Sequence, residues 1–211
     1  MKLYFLPVLF FVANLSFAQD PAFPDYRSKR DLFTRIQEKD IRMDVATFTM
    51  AGIDESVGKL PLKTMPVAET GNNFITFSGN GIQVSIFTAP FDGTKHKLSY
   101  YENKHLVKID NKAYFGDYGK VPKTQIEKVV VTIGKDTVDI PASAYLDLYN
   151  PILYVNDKGV NKTNNKVLTS ADGRKIYIYM LKRETGGSYE VTWIIQDKKF
   201  LKRVVDFGFL K

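Results

Sequence analysis

Apolar and polar residues alternate along much of the chain after residue 73, a pattern typical of half-buried β-strands. In the predicted strand 82–88, apolar residues occupy every second position from Ile82 to Ile86, which places them on one face. Another predicted strand, 73–78, precedes it. The Gly-Asn-Gly link at 79–81 consists of residues that tolerate the positive φ of a tight turn, so this segment predicts a β-hairpin.

Other apolar runs joined by short polar links extend the pattern. They predict a hairpin over 97–110 with its turn at 102–104, a hairpin over 126–140 with its turn at 134–136, and a C-terminal meander of strands 175–182, 189–196 and 200–207. Together these segments give about ten short strands, which favour an antiparallel β-sandwich or an open barrel. We expect residues 28–211 to form one mostly-β domain with a single N-terminal amphipathic helix.

The register of the last hairpin follows from its turn. If the turn lies at 197–198, Trp193 faces Lys202 and Val191 faces Val204 across the two strands. One face of this ribbon is then almost wholly apolar and predicts a core face. The opposite face mixes charged and apolar residues, so we expect it to be partly wet or docked against another element.

The predicted helix lies before these strands. Ser28 and Asp31 have capping-box spacing, with an acid three residues after the cap. The apolar residues between 32 and 36 then share one helical face, and we expect the helix to end near 39–42. The remaining predictions are a strand at 45–50, a long loop at 52–72, a short helix at 142–148, a strand at 152–155 and an exposed loop at 156–165.

The first residues predict a secretory signal peptide. Lys2 precedes a nearly unbroken apolar run over 3–12, and Ser16-Phe17-Ala18 supplies small residues for cleavage after Ala18. The apolar stretch is shorter than the roughly 20 residues of a membrane-spanning helix. We therefore expect an exposed lead-in at 19–27, no membrane span after cleavage, and a periplasmic, secreted or cell-surface location. Since the chain has no cysteine, a thiol-linked lipid anchor is excluded.

Composition limits the partners. The formal net charge is +7, but the basic residues are spread along the chain without a long cluster. This distribution is typical of a solvated surface and does not favour nucleic acid. The oligomeric state is left open by the sequence.

Catalytic motifs give little guidance. The chain contains His96 and His105 as its only histidines; in the predicted hairpin they lie roughly 13 Å apart, too far for one metal ion. No metal site, cofactor site or serine-nucleophile motif is predicted. An enzyme that uses paired carboxylates is harder to exclude, because the sequence does not give the distance between two carboxyl groups. The acids near apolar segments are Asp139, Asp147, Asp157, Glu190 and Asp206.

The aromatic content suggests a binding surface. Many of the 12 tyrosines are explained by the preference of strands for aromatic residues. Some could instead form an exposed platform that stacks on sugar rings or anchors a protein interface. The candidates are Tyr100, Tyr101, Tyr114, Phe115 and Tyr118. The sequence therefore favours an exported, non-catalytic protein that binds an envelope protein or a glycan, and the alternative is a glycan-active hydrolase or lyase using paired carboxylates.

Overall fold

The computed structural model describes residues 32–207 except 57 and 60. The predicted leader and lead-in, and the pair Ser28 and Asp31, lie outside the described residues. The α-helix α1 spans Lys39–Ala46, and short 3-10 turns lie at Phe33–Arg35, Ile53–Glu55, Gly93–Lys95 and Ala142–Ala144. No helix among the described residues is long and apolar enough to cross a membrane.

The described residues form 14 strands. In chain order they are β1 (Lys63–Met65), β2 (Val67–Gly71), β3 (Phe74–Gly79), β4 (Ile82–Pro90), β5 (Leu98–Tyr101), β6 (His105–Ile109), β7 (Thr124–Ile133), β8 (Asp136–Val138), β9 (Val155–Asp157), β10 (Val160–Lys162), β11 (Lys166–Thr169), β12 (Lys175–Lys182), β13 (Tyr189–Gln196) and β14 (Lys199–Phe207). The hairpins predicted across 79–81, 102–104 and 134–136 are confirmed.

Two five-stranded antiparallel sheets pack face to face. Sheet A has the order β1-β11-β12-β13-β14, and sheet B has the order β2-β3-β4-β7-β8. Their shared core includes Trp193 and Ile178 of sheet A and Ile86 and Val131 of sheet B, all fully buried. The predicted mostly-β, antiparallel sandwich is confirmed.

Sheet A is buried on both faces. Its outer face packs against residues 33–46, where Phe33, Ile41 and Val45 meet Tyr177 and Ile194. This third layer is why the second face of the C-terminal ribbon carries apolar residues among its polar ones. That face was expected to be either partly wet or docked against another element, and it is docked against the N-terminal layer.

A buried carboxylate fastens this layer to the sheet. Glu190, 2% exposed, accepts hydrogen bonds from the backbone N–H of Met50 (2.8 Å) and of Ala51 (2.7 Å). The Tyr179 hydroxyl donates to the same carboxylate at 2.7 Å. Nearby, the Tyr177 hydroxyl donates to Asp44 at 2.6 Å, so two tyrosine–carboxylate pairs join sheet A to the N-terminal layer.

The N-terminal elements differ from their predicted positions. Residues 33–35 form a 3-10 turn, and α1 starts only at Lys39, where the predicted helix was expected to end. The Phe33 N–H donates to Asp206 Oδ2 at 3.0 Å, and the Phe33 side chain packs on sheet A, so tertiary contacts override the helical spacing. The predicted strand 45–50 is wrong, because its first residues complete α1 and the Thr49 hydroxyl donates back to the carbonyl of Val45.

The register of the last hairpin differs from the prediction because β14 contains a β-bulge. The first pairs match, but beyond Phe200 the ladder shifts by one residue, and Leu201 has no partner. Trp193 therefore faces Arg203, and Val191 faces Val205. Such an extra residue moves every following side chain to the opposite face, which is why Val204 packs against the N-terminal layer instead of the sandwich core.

Several predicted loops contain short strands. The stretch 52–72 holds β1 and β2, and 156–165 holds most of the hairpin β9–β10. The predicted strand 152–155 begins only at Val155, and the predicted helix 142–148 is reduced to a single 3-10 turn. Pairing with neighbours, not hydrophobic alternation, defines these strands: β1 lies on β11 although its first residues are exposed.

Candidate functional site

A concave pocket lies at the end of the sandwich where β4 finishes and β7 begins. It encloses about 250 Å³ between the segment 109–114 and the segment 143–149. A small apolar cluster of Leu106, Ile109, Tyr114 and Tyr149 supports it from beneath. The pocket wall combines apolar side chains with convergent polar groups, the usual character of a ligand site.

Tyr149 is the central residue of this pocket. It is 4% exposed, with its ring edge-on to Phe91 (centroids 5.2 Å apart) and to Tyr114 (5.8 Å). Within the described residues, nothing forms a hydrogen bond with its hydroxyl, and no fully buried side-chain oxygen lacks a partner. The hydroxyl is therefore accessible from the pocket. Burial, together with the negative charges of Asp110 and Asp147, raises the pKa of Tyr149 to about 12, so it is a proton donor at neutral pH.

Asp110 supplies a carboxylate on one side of the pocket. Its Oδ1 accepts the Lys97 N–H at 2.9 Å, and its Oδ2 lies 2.7 Å from His96 Nδ1. The hydrogen bonds from His96 and from the Lys97 amide lower the pKa of Asp110 below its ordinary value, so this carboxyl is ionised at neutral pH. The His96 ring stacks on Phe91 with their centroids 4.7 Å apart, and Phe91 in turn contacts the ring of Tyr149.

Asp147 supplies the second carboxylate. Arg203 binds it through two hydrogen bonds, Nη1 to Oδ1 at 2.5 Å and Nη2 to Oδ2 at 2.8 Å. The Trp193 Nε1 donates to the carbonyl of Ala144 at 2.8 Å, and Arg203 Nη1 reaches the same carbonyl at 3.3 Å. The segment that carries Asp147 is thus tied to sheet A by two side chains.

A buried ion pair anchors the loop 110–123. Lys182 is fully buried, and its Nζ lies 2.8 Å from Asp117 Oδ1 and 2.6 Å from Glu184 Oε2. Asn150 donates to Asp117 at 2.7 Å and accepts backbone N–H groups at the start of β7. Burial raises the pKa of Asp117, but the bonds from Lys182 and Asn150 outweigh burial and hold that pKa below its ordinary value.

The chemistry available in the pocket is hydrogen bonding beside an apolar wall. The Asp110 and Asp147 carboxylates accept, Tyr149 donates, and Lys112 and Ser143 add polar groups at the rim. Tyr114 and the half-exposed Leu146 provide apolar surface. An ionised Asp110 can act as a hydrogen-bond acceptor or as a general base. It cannot act as the general acid that carboxylate-based glycoside hydrolysis also requires.

The predicted aromatic residues do not form one exposed platform. Tyr114 (6% exposed) and Phe115 (3%) are buried, so the prediction of exposed rings is wrong for both. Phe115 packs on core rings between the sheets, and the Tyr114 hydroxyl is 3.2 Å from the Leu106 carbonyl. Tyr114 nonetheless lines the pocket with its ring. Tyr118 (59%) and Tyr100 (43%) are exposed, and Tyr101 is half-buried opposite His105.

Of the five acids singled out in the sequence, Asp147 is the one that lines the pocket. Glu190 and Asp206 hold backbone N–H groups of the N-terminal layer, Asp157 pairs with Lys162 at 2.6 Å, and Asp139 is exposed. The sequence analysis missed Asp110 and Tyr149. The signal for Asp110 was the Asp-Asn turn after β6, where both residues have positive φ, but such dipeptides are common in ordinary turns.

His96 and His105 occupy different parts of the hairpin β5–β6. His96 pairs with Asp110, whereas His105 packs over Gly119. Among the residues that the structure describes, no group of three or more histidine or acidic side chains could hold a metal ion.

Comparisons of the chain with protein-family models, with curated proteins and with solved structures gave no match.

Proposed function

We propose that this protein is an exported, non-catalytic β-sandwich that binds a glycan, and that one saccharide unit occupies the pocket around Tyr149. The observation that carries the proposal is the Tyr149 hydroxyl, a donor at the floor of a pocket, without a partner among the described residues and flanked by two carboxylates. Because this hydroxyl is accessible from the pocket and has no partner among the described residues, it is available to donate a hydrogen bond to a ligand oxygen.

The charges favour a neutral, hydroxyl-rich ligand. Asp147 is paired with Arg203, and Asp110 has hydrogen bonds to His96 and to the Lys97 amide, so both carboxylates have partners within the protein and do not require a cationic ligand. Ionised carboxylates instead accept hydrogen bonds from vicinal hydroxyls. The apolar surface of Tyr114 and Leu146 suits the carbon face of a pyranose. A volume of about 250 Å³ lies just below the usual range of ligand pockets, which favours one sugar unit over a longer segment.

The alternative is a glycan-active hydrolase or lyase that uses Asp110 and Asp147 as its paired carboxylates. Both line one pocket, which favours this second candidate over any other acid pair named from the sequence. Against it stand the lowered pKa of Asp110 and the bidentate arginine on Asp147. The ionised Asp110 does not serve as a general acid, and the arginine occupies both oxygens of Asp147, so this carboxylate pair lacks the acid that protonates a leaving group.

The first test is a screen of the purified, exported chain against immobilised glycans, followed by calorimetric titration with the best soluble oligosaccharide. Tyr149→Phe removes the hydroxyl but keeps the ring contacts, and it should weaken binding about 5- to 20-fold. The matched control is Tyr154→Phe, since the Tyr154 hydroxyl bonds the Gly71 carbonyl away from the pocket. Unchanged affinity in Tyr149→Phe, or no glycan bound at all, would overturn the proposal.

A second assay separates binding from turnover. The bound oligosaccharide is incubated with the protein, and the products are separated by mass spectrometry. We expect the ligand to be recovered intact. Cleavage of the oligosaccharide that is lost in Asp110→Asn would contradict the non-catalytic function and support a hydrolase or lyase that uses the paired carboxylates. Crosslinking of an envelope protein at Tyr118 would support a protein partner instead of a glycan.

A further inference from the structure

A second pocket lies at the opposite end of the sandwich. The ladder between β4 and β7 runs from the pair Pro90 and Thr124, near the Tyr149 pocket, to the pair Ile82 and Ile133 at the other end. There the turns of both sheets surround a space of about 350 Å³. This volume is within the range of small-molecule sites.

The floor of this second pocket is apolar and comes from both sheets. Ile82 and Ile133 are paired in sheet B and are only partly buried, and Ile176 contributes from sheet A. These side chains are the last layer of the sandwich core, so the pocket leads into the space between the sheets. Covering this partly exposed isoleucine surface with an apolar group lowers the free energy of the system.

Cationic side chains border the mouth. Arg174 binds Asp197 through Nε (2.8 Å) and Nη2 (2.7 Å), which leaves Nη1 and the outer N–H groups uncommitted among the described residues. Lys198 reaches from the turn of sheet A to Asp136 of sheet B at 2.7 Å and keeps two further ammonium protons. Both ion pairs are more than half exposed on their cationic side and contribute little stability, so their donors can turn toward another anion.

We propose that this pocket binds the apolar chain of a small carboxylate amphiphile, with the chain on the three isoleucines and the carboxylate at Arg174 and Lys198. A hydrocarbon chain can cover the apolar floor, and an anionic headgroup can accept hydrogen bonds from the uncommitted N–H donors at the mouth. The Lys198–Asp136 pair crosses between the sheets at this mouth, and entry of the ligand exchanges Asp136 for the ligand carboxylate. The site is independent of the saccharide pocket.

The experiment is a calorimetric titration of the purified, exported chain with sodium decanoate below its micelle concentration, with decanol as the neutral analogue. We expect saturable binding of decanoate and at least about fivefold weaker binding of decanol. Ile133→Trp fills the pocket and should abolish binding, and Lys198→Glu should weaken it by at least about fivefold. Lys199→Glu is the matched control, since Lys199 is exposed but does not line the pocket.

Absence of saturable decanoate binding, or equal binding by Ile133→Trp with an unchanged unfolding midpoint, overturns the proposal. Equal affinity for decanol and decanoate, or equal loss in Lys198→Glu and Lys199→Glu, overturns the assigned headgroup contact. Asp110→Asn, in the saccharide pocket, should leave decanoate affinity unchanged, so failure here is separable from failure of the proposed function.

Discussion

Replacement of Glu190 by glutamine should detach the N-terminal layer from sheet A. The carboxylate accepts three hydrogen bonds at 2% exposure, from two backbone N–H groups and the Tyr179 hydroxyl. A glutamine side chain keeps one acceptor oxygen and places an NH₂ donor against donors. At least one of the part-buried N–H groups of Met50 and Ala51 loses its partner, at a cost of about 1–3 kcal/mol, and the bonds that remain lose the strength given by charge. The total expected loss is about 2–4 kcal/mol.

The assay is urea unfolding followed by the fluorescence of Trp193, the single tryptophan, which is fully buried between the sheets. Tyr179→Phe removes one bond and should cost about 1–2 kcal/mol. Glu127→Gln, on the exposed face of β7, is the matched control and should change the unfolding free energy by less than about 0.5 kcal/mol. A loss below about 0.5 kcal/mol in Glu190→Gln, with unchanged hydrogen exchange at Met50 and Ala51, would refute the proposed role.

Asp117→Asn leaves the fully buried Lys182 with Glu184 alone and should lower the free energy of unfolding in urea by about 2–4 kcal/mol; Lys182→Met removes the buried charge and should cost less, and an equal loss would contradict an uncompensated buried ammonium as the cause. The pKa values of Glu38, Asp40 and Asp117 are lowered, so their contribution is complete above the unfolded pKa values and is lost as pH falls; urea unfolding should show a steep decline below about pH 4 and little change from pH 6 to 8. Mass spectrometry of the exported chain should find a mature N-terminus at Gln19, and an intact leader would contradict the predicted cleavage.

The strand pairs of the sandwich could be predicted where the sequence gives both alternation and a defined turn. The hairpin across 79–81 is an example, because Asn80 and Gly81 both have the positive φ that the sequence implied. The bulge after Phe200 could not be predicted in this way. Leu201 resembles any other strand residue, and the shifted register is accompanied by tertiary contacts that the local sequence does not reveal, such as those of Lys202 with Glu38 and of Arg203 with Asp147.

The candidate site was mostly hidden because its members come from distant segments. Asp110 follows β6, Tyr149 lies between β8 and β9, and Arg203 belongs to β14. Their meeting depends on how the loop 110–123 is held over the sandwich, and single-sequence patterns carry no information about such packing. The aromatic stretch 114–118 includes one residue of the pocket, Tyr114. Its ring is buried and lines the pocket wall, and it does not form an exposed platform.

The bulge at Leu201 determines which basic side chain stands beside Asp147. In an unbroken ladder Lys202 would stand opposite Trp193, so an ammonium would replace the guanidinium beside Asp147. An ammonium cannot form the planar, two-pronged contact that Arg203 makes, and the carboxylate would regain much of its unpaired charge. The extra residue thus decides which cation meets Asp147: deletion of Leu201 would keep Arg203 opposite Trp193, whereas a slip of the intact β14 into the unbroken register would exchange the guanidinium for an ammonium without any substitution in the pocket wall.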